Sequence, residues 1–247
     1  MAKLIGGTRV YGSATVDGAL IAGAGSGFMN LVAFTTGTSV SYTLPSTLQY
    51  AGAKFKVTII GAGGSGGGTA VTAGQMGGGG GSAAVVIAYI TVVNSVYSLT
   101  YSVAATTAAG AAGAAGAAGN PSSIIYNSVT YSAGGGLGGT LATSVLAGGA
   151  GGTTSPSLFG TANVMGITGN PGGAGGVMAA TTNVAGLGGN TPLGWGQGGV
   201  MPVTAAGAAG EPGTGYGSGG SGARNGTGAA TTRAGGTGAP GLIIIEY

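Results

Sequence analysis

The chain has 247 residues, of which 62 are glycine and only 4% are charged, with six Lys and Arg against three Asp and Glu. Hydrophobic residues make up 43% and the mean hydropathy is +0.47, which excludes a polar, charged linker that stays disordered in water. The absence of cysteine and histidine excludes a disulfide framework and thiolate or imidazole chemistry.

The first predicted element is a short segment from Thr8 to Gly23, in which Val10, Val16 and Ile21 recur at nearly six-residue spacing. This spacing indicates a β-helical or intertwined strand segment that forms among several chains, because so short a segment is not stable alone. We therefore assign residues 1–27 to attachment and trimerisation and residues 28–247 to one glycine-rich domain.

Strands follow the N-terminal segment and return at the end of the chain. Predicted strands are Leu31–Phe34, Ser39–Leu44, Phe55–Ile60, Ala83–Val93, Tyr97–Val103 and Leu242–Tyr247. The alternating stretch IIYNSVTYSA places Tyr126 and Tyr131 on a packing face. The rest of the chain between Thr106 and Gly241 is interpreted as glycine blocks with spacers.

The glycine runs, such as residues 63–68 and 77–81, predict ordered polyglycine-II helices. Collagen requires glycine at every third position with abundant proline, whereas only residues 110–119 keep that period and the chain has 8 prolines. An α-helix is disfavoured because glycine costs about 1 kcal/mol per residue in a helix interior. In a polyproline-II-type helix with three residues per turn, the backbone N–H and C=O groups point outward in three directions and can bond to neighbouring helices. The fold class is thus mainly β and irregular: a small β layer from the terminal strands, plus a polyglycine-II bundle with loops at its ends.

A dinucleotide-binding fingerprint is the first alternative. Residues 61–66 (GAGGSG) follow a predicted strand and match G-x-G-x-x-G. The fingerprint also needs a helix at the third glycine and an acidic residue about 20 positions onward. The sequence after Gly66 is a poor helix, and no acid occurs between Asp17 and Glu211, so the glycine bundle is the better interpretation.

Catalysis, nucleic-acid binding and membrane insertion are not expected. The three acids, Asp17, Glu211 and Glu246, fall in different predicted regions, which opposes a paired-carboxylate site; we expect no enzyme, metal or cofactor. The basic residues are scattered and form no stripe for nucleic acid. The longest apolar stretch is too short for a bilayer and the N-terminus lacks a signal-peptide core, so synthesis in the cytoplasm is expected.

The order of motifs resembles a known family. GGTRVYGSATVDGALIAG is followed by FTTGTSVSYTLPSTLQYAGAKFKVTIIGAGGSGGG, by glycine blocks and by GAPGLIIIEY. This pattern resembles the glycine-rich C-terminal domain of bacteriophage tail fibres and is more distantly similar to the polyglycine-rich tail-fibre-tip adhesins of T-even-type phages. The resemblance implies a sandwich of polyglycine-II helices whose tip loops bind a bacterial surface receptor, either a glycan or an outer-membrane protein.

The same resemblance implies a place in the virion. The expected partners are the bacterial receptor and an upstream tail-fibre or baseplate protein. Because the chain begins with a shaft-like segment instead of the attachment domain of the T-even-type tip adhesins, a homotrimer is expected.

Large or hydrogen-bonding side chains in the spacers are the candidates for receptor contact, since interface hot spots favour Trp, Tyr and Arg. The candidates are Phe159, Asn163, Met165, Trp195, Gln197, Tyr216, Arg224, Asn225 and Arg233. For each, a structural role is the alternative: Trp195 could plug the edge of the bundle, and Arg224 and Arg233 could keep a charge-poor chain soluble.

Two other functions remain open at this stage. A structural virion fibre or decoration protein would have no ligand of its own, although such a protein gains nothing from exposed Trp or Met. Ice binding is known for some glycine-rich polyproline-II bundles, but those chains keep a stricter Gly-x-x period than this one outside residues 110–119.

Overall fold

The computed structural model describes residues 14–16, 19–21, 30–71, 75–142, 148–153, 163–179, 182–194, 196–199, 207–226 and 231–247. Its regular elements are short, antiparallel strands, with 3-10 turns at Ser46–Leu48 and Pro192–Gly194. In chain order the strands are β1 (Ala14–Val16), β2 (Ala19–Ile21), β3 (Leu31–Phe34), β4 (Val40–Thr43), β5 (Lys54–Ile60), β6 (Met76–Gly77), β7 (Val85–Thr91), β8 (Ser98–Ser102), β9 (Ser122–Tyr126), β10 (Val129–Ala133), β11 (Leu141–Ala142), β12 (Val164–Ile167), β13 (Gly176–Ala179), β14 (Thr182–Val184), β15 (Gly196–Gln197), β16 (Gly207–Ala208), β17 (Thr214–Gly215), β18 (Arg224–Asn225) and β19 (Leu242–Glu246).

Two antiparallel sheets pack face to face and form the conventional core. One has the strand order β12-β7-β5-β19-β3 and the other β10-β9-β8-β4. Alternate residues of β5, namely Phe55, Val57 and Ile59, point into this core, as the two-residue period of a strand requires. Phe55 meets Tyr126 of the opposite sheet edge to face, with 5.7 Å between the ring centroids. The mainly β fold class predicted from the sequence is confirmed.

The six predicted strands are all present, with ends that differ by up to two residues. The packing role predicted for Tyr126 and Tyr131 is also confirmed, because Tyr126 is buried in the core and Tyr131 packs against it. The interpretation of the rest of the chain between Thr106 and Gly241 as glycine blocks and spacers was wrong at β12, which forms an edge of the five-stranded sheet. The β9–β10 hairpin turns at Asn127 and Ser128, which both have positive φ, as a two-residue type I′ turn requires.

The glycine-rich segments form a polyglycine-II arrangement that extends directly from the strands. In residues 61–69, which follow β5 without a break, the backbone amides at 61, 64 and 67 donate to carbonyls at 84, 81 and 78. The amides at 62, 65 and 68 donate to 120, 117 and 114, and those at 63, 66 and 69 donate to 239, 236 and 233. Each third residue therefore bonds to the same neighbour, and the partner number falls by three each time. This is the hydrogen bonding of antiparallel helices with three residues per turn.

Three segments, which we call the central segments (residues 61–69, 77–84 and 217–223), are buried throughout. Each is in contact with the other two and with four outer segments, which gives every central segment six neighbours, as in close-packed rods. The outer segments are residues 104–110, 114–120, 134–140, 148–153, 168–173, 185–190, 196–199, 209–213 and 233–239. We call the central and outer segments together the glycine lattice.

Glycine is required in the lattice because the helices approach each other too closely for side chains. A Cβ at Gly63, Gly66 or Gly79 would lie less than 3.0 Å from a carbonyl oxygen of the next helix, a separation that real Cβ atoms do not show. Serine is found inside the lattice where its hydroxyl is used. The Oγ atoms of Ser65 and Ser221 accept hydrogen bonds from the amides of Ala117 and Glu211, each at 2.8 Å.

Side chains return on the outward faces of the outer segments, at every third position. Exposed residues of this kind are Ala118, Leu137, Ala150, Pro171 and Leu187. A further glycine helix cannot approach closely where such side chains project. The lattice therefore ends at these rows, much as charged or bulky residues protect the edge of a β-sheet.

The lattice has two distinct ends. At the strand end, β5, β10 and β12 lead into the lattice, and β7 and β19 leave it. We call the opposite end the distal end. The lattice segments that terminate there are the described ones on either side of residues 70–76, 111–113, 141–147, 174–184, 200–206 and 224–232. The N-terminal part of the chain joins the β layer at Asn30, which exchanges backbone hydrogen bonds with Tyr247 on the side of the sheets away from the lattice.

Candidate functional site

The structure divides the predicted receptor-binding residues between the two ends of the lattice. Arg224, Asn225 and Arg233 lie at the distal end. Gln197 and Tyr216 lie at the strand end, and Asn163 and Met165 lie beyond it in the β layer. Phe159 and Trp195 are outside the described residues.

At the distal end, Asn225 ties together the ends of two central segments. Its Nδ2 donates to the carbonyl oxygen of Ala70 at 2.7 Å, and its Oδ1 accepts from the hydroxyl of Thr69 at 3.1 Å. The amide of Ala70 donates in turn to Oε1 of Gln75 at 2.7 Å. Only 1% of Asn225 is exposed, so its buried side chain connects the two segments where they terminate at the distal end.

The two distal arginines flank this network. Arg224 is 8% exposed and lies in β18, which pairs with β16 and with Met76 of β6. Arg233 begins the segment 233–239 and exchanges backbone hydrogen bonds with Thr69. Val71, a large apolar residue of this end, is 62% exposed. The described distal end thus combines a buried polar support with an apolar exposed residue.

At the strand end, Tyr216 is part of a small apolar cluster between the lattice and the five-stranded sheet. It packs against Ile60, Ala83, Val85 and Leu242, and its carbonyl oxygen accepts from the hydroxyl of Thr191 at 2.6 Å. This position gives Tyr216 a packing role at the junction.

Gln197, Asn163 and Met165 present side chains to solvent. Gln197 is exposed in β15 and lies opposite Thr214 of β17. Met165 is exposed on β12, the edge strand of the five-stranded sheet, two residues after the exposed Asn163.

Two amides near Gln197 were not selected from the sequence. Asn170 and Asn190 are exposed, and the Nδ2 of Asn170 donates to the carbonyl oxygen of Asn190 at 2.8 Å. The pattern Gly-Asn-Pro at 169–171 and Gly-Asn-Thr-Pro at 189–192 was an available signal, because in both an asparagine borders a glycine block within two residues of a proline.

The charges of the described residues are sparse and separate. Lys56 pairs with Glu246 at 2.6 Å on the five-stranded sheet, far from the exposed Glu211 of the lattice. Within the described ranges, no three potential metal-binding residues gather at one place. The structure also has, in those ranges, no helix long and apolar enough to cross a membrane.

The fold defines a class: a two-sheet β layer whose strands continue into a close-packed glycine lattice. The family model of the glycine-rich domain matches residues 33–247, and the chain therefore belongs to this family. No curated protein matches the sequence.

Proposed function

We propose that the chain is the receptor-binding part of a phage tail fibre or short fibre, which attaches the virion to the bacterial surface through the distal end of the glycine lattice. The observation that supports this proposal is the orientation of the domain. The N-terminal part of the chain joins the β layer at Asn30, on the opposite side from the distal end. A virion-bound N-terminal segment would thus hold the distal connections outward, toward a cell.

The lattice suits such a role physically. Its helices are fixed to one another by interhelix backbone hydrogen bonds and not by a side-chain core, so the distal connections can differ in sequence while their anchor points remain in place. Rigid anchor points lower the ordering cost of binding.

In this proposal residues 1–27 form the homotrimer and contact an upstream fibre or baseplate protein. The described part of that segment is the antiparallel pair β1–β2, with three residues in each strand. An isolated two-stranded hairpin of this size is at best marginally stable in water, which favours its assembly with other copies. Sedimentation of the full chain and of a variant lacking residues 1–27 tests this part: the trimer should be lost on truncation.

Binding of the labelled protein to a panel of bacterial strains tests the function. Because the chain has no cysteine, single cysteines can be introduced and coupled to a bulky polyethylene glycol. Val71→Cys places the polymer at the distal end, and Tyr50→Cys, also at an exposed residue, places it beside β5 at the opposite pole.

Strain-selective binding that is blocked by the polymer at position 71 and retained with the polymer at position 50 supports the proposal. Failure of the folded protein to bind any strain in the panel, or equal binding by both conjugates, would contradict receptor binding through the distal end. A structural virion part without a ligand would then be the better assignment.

A further inference from the structure

One side of the lattice is flat. It consists of residues 168–174, 185–190 and 196–199. The middle segment touches two central segments, 77–84 and 217–223, and the other two segments lie on either side of it. In close packing of rods, a middle rod that touches two rods beneath it and one rod on each side lies in one plane with those two side rods. We call this surface the lateral face.

Exposed amide side chains cross the lateral face near the strand end. Asn170 donates through Nδ2 to the backbone oxygen of Asn190, and the Oδ1 of Asn190 accepts from the amide of Gly198 at 2.7 Å. Gln197 is adjacent, and its carbonyl oxygen accepts from the hydroxyl of Thr214 at 3.3 Å. One amide from each of the three segments therefore contributes to a row, which we call the amide row (Asn170, Asn190 and Gln197).

Each asparagine of the row uses only one end of its amide for the protein. Among the described residues, Oδ1 of Asn170, Nδ2 of Asn190 and the side-chain amide of Gln197 form no hydrogen bond. Their partners are backbone groups of the lattice, which fix the orientation of the two asparagines. The row thus offers acceptors and donors toward solvent on a rigid base.

Apolar side chains flank the amide row on both sides. Leu187 is 50% exposed on the distal side, and Leu193 is 54% exposed on the other. Leu193 is held outward in a tight turn at Pro192–Gly194, where it has φ of 68°, a conformation that residues other than glycine rarely adopt. The turn is fixed by bonds from Thr191 to Gly196 and from Gly194 to Thr191.

No Lys, Arg, Asp or Glu occurs in residues 168–174, 185–190 or 196–199. This neutral surface is complementary to a sugar. The oriented amides match hydroxyl groups, which both donate and accept hydrogen bonds, and the exposed leucines match the apolar C–H face of a sugar ring. We propose that the amide row binds a neutral polysaccharide of the bacterial surface. This inference rests on the proposed function and adds a second contact, beside the lattice, to the distal one.

Two variants remove outward groups while keeping the bonds within the protein. Asn190→Asp retains an oxygen to accept from Gly198 and loses the outward N–H donors. Gln197→Ala removes an exposed side chain whose backbone partner stays in place. Thr153→Ala, at an exposed position on a different side of the lattice, is the matched control. Thermal unfolding of all four proteins verifies that they are folded.

The probes are delipidated O-polysaccharide and capsular polysaccharide, each purified from the strains of the panel and immobilised separately, so that the two arms distinguish the source. We expect the unmodified protein to bind one of them, and Asn190→Asp and Gln197→Ala each to weaken that binding at least fivefold, with Thr153→Ala unchanged. Absence of binding to every polysaccharide, or unchanged binding by both variants, would overturn the inference. If the inference is overturned but the unmodified protein still binds cells through the distal end, the proposed function stands. If the unmodified protein binds no cells at all, the proposed function itself is contradicted.

Discussion

Gly66 lies against the carbonyl oxygen of Ser221, at a separation that leaves no room for a Cβ. Both residues belong to central segments, and Gly66 is anchored there by a 2.9 Å hydrogen bond from its amide to Gly236. The side-chain hydrogen that glycine has in place of Cβ is what lets two backbones approach this closely.

The first prediction concerns this contact. Gly66→Ala should lower the free energy of unfolding by at least about 3 kcal/mol, because backbone atoms on a fixed neighbour cannot move away as a flexible side chain could. Gly176→Ala is the control, since a Cβ there has open space around it. It should change stability by no more than about 0.5 kcal/mol in urea unfolding. Equal effects of the two substitutions would show that the lattice is not packed as described.

The second prediction is the pattern of amide hydrogen exchange. Amides of the central segments, residues 61–69, 77–84 and 217–223, bond to neighbouring helices and are buried, so they should exchange only through global unfolding. The amides of Ala112 and Ala118, which are exposed, should exchange much faster. Mass spectrometry of peptides from these ranges measures the difference, and rapid exchange of the central glycines would mean that they are linkers.

The third prediction concerns the distal support. Asn225→Ala should cost about 2–4 kcal/mol, because it leaves the carbonyl of Ala70 and the hydroxyl of Thr69 without their buried partner. Asn94→Ala, in an exposed turn where the side chain accepts only from Tyr97, should cost less than about 1 kcal/mol. Urea unfolding of both variants compares them; similar costs would show that the Asn225 network does not stabilise the distal end.

The fourth prediction concerns the ion pair between Lys56 and Glu246. Each side chain is about a quarter exposed, with 24% and 26%, so solvent screens the pair substantially. A double-mutant cycle with Lys56→Met and Glu246→Gln should give a coupling of about 1 kcal/mol or less, which falls further in 1 M NaCl. A coupling that does not change with salt would mean that the pair is desolvated.

The fifth prediction is a loss of stability at high pH. Burial raises the pKa of Tyr131 above its ordinary value of 10, and the neighbouring Tyr126 adds to the effect. Burial, with a smaller effect of Tyr247, likewise raises the pKa of Tyr42. The unfolded chain therefore loses these protons first, so the stabilisation is complete below pH 10 and is lost as the pH rises through the folded-state pKa.

The variant Tyr131→Phe should therefore show a shallower decline in the free energy of unfolding above pH 10 than the unmodified protein. The double variant with Tyr42→Phe should be shallower still. A slope that is steeper in the Tyr131→Phe variant would contradict the assigned direction.

Local patterns in the sequence were sufficient for the six predicted strands and for the kind of structure that the glycines adopt. Phe55, Val57 and Ile59 alternate into the core because strand side chains have a period of two, and this period is visible in the sequence. The glycine runs predicted interhelix bonding because composition and spacing excluded a disordered linker, collagen and an α-helix. The family follows from the same composition, and its model matches residues 33–247.

Only the tertiary structure decided which segments are neighbours and which residues share a surface. The local sequence shows that segment 134–140 carries Leu137 whereas segment 77–84 has no large side chain, but it does not show which segments are neighbours. That pairing depends on hydrogen bonds between segments distant in the chain. For the same reason the sequence selected Asn225 and Gln197 together, although one is buried at the distal end and the other is exposed near the strands. The amide row exists because close packing brings residues 170, 190 and 197 onto one face, a relationship that no short-range pattern encodes.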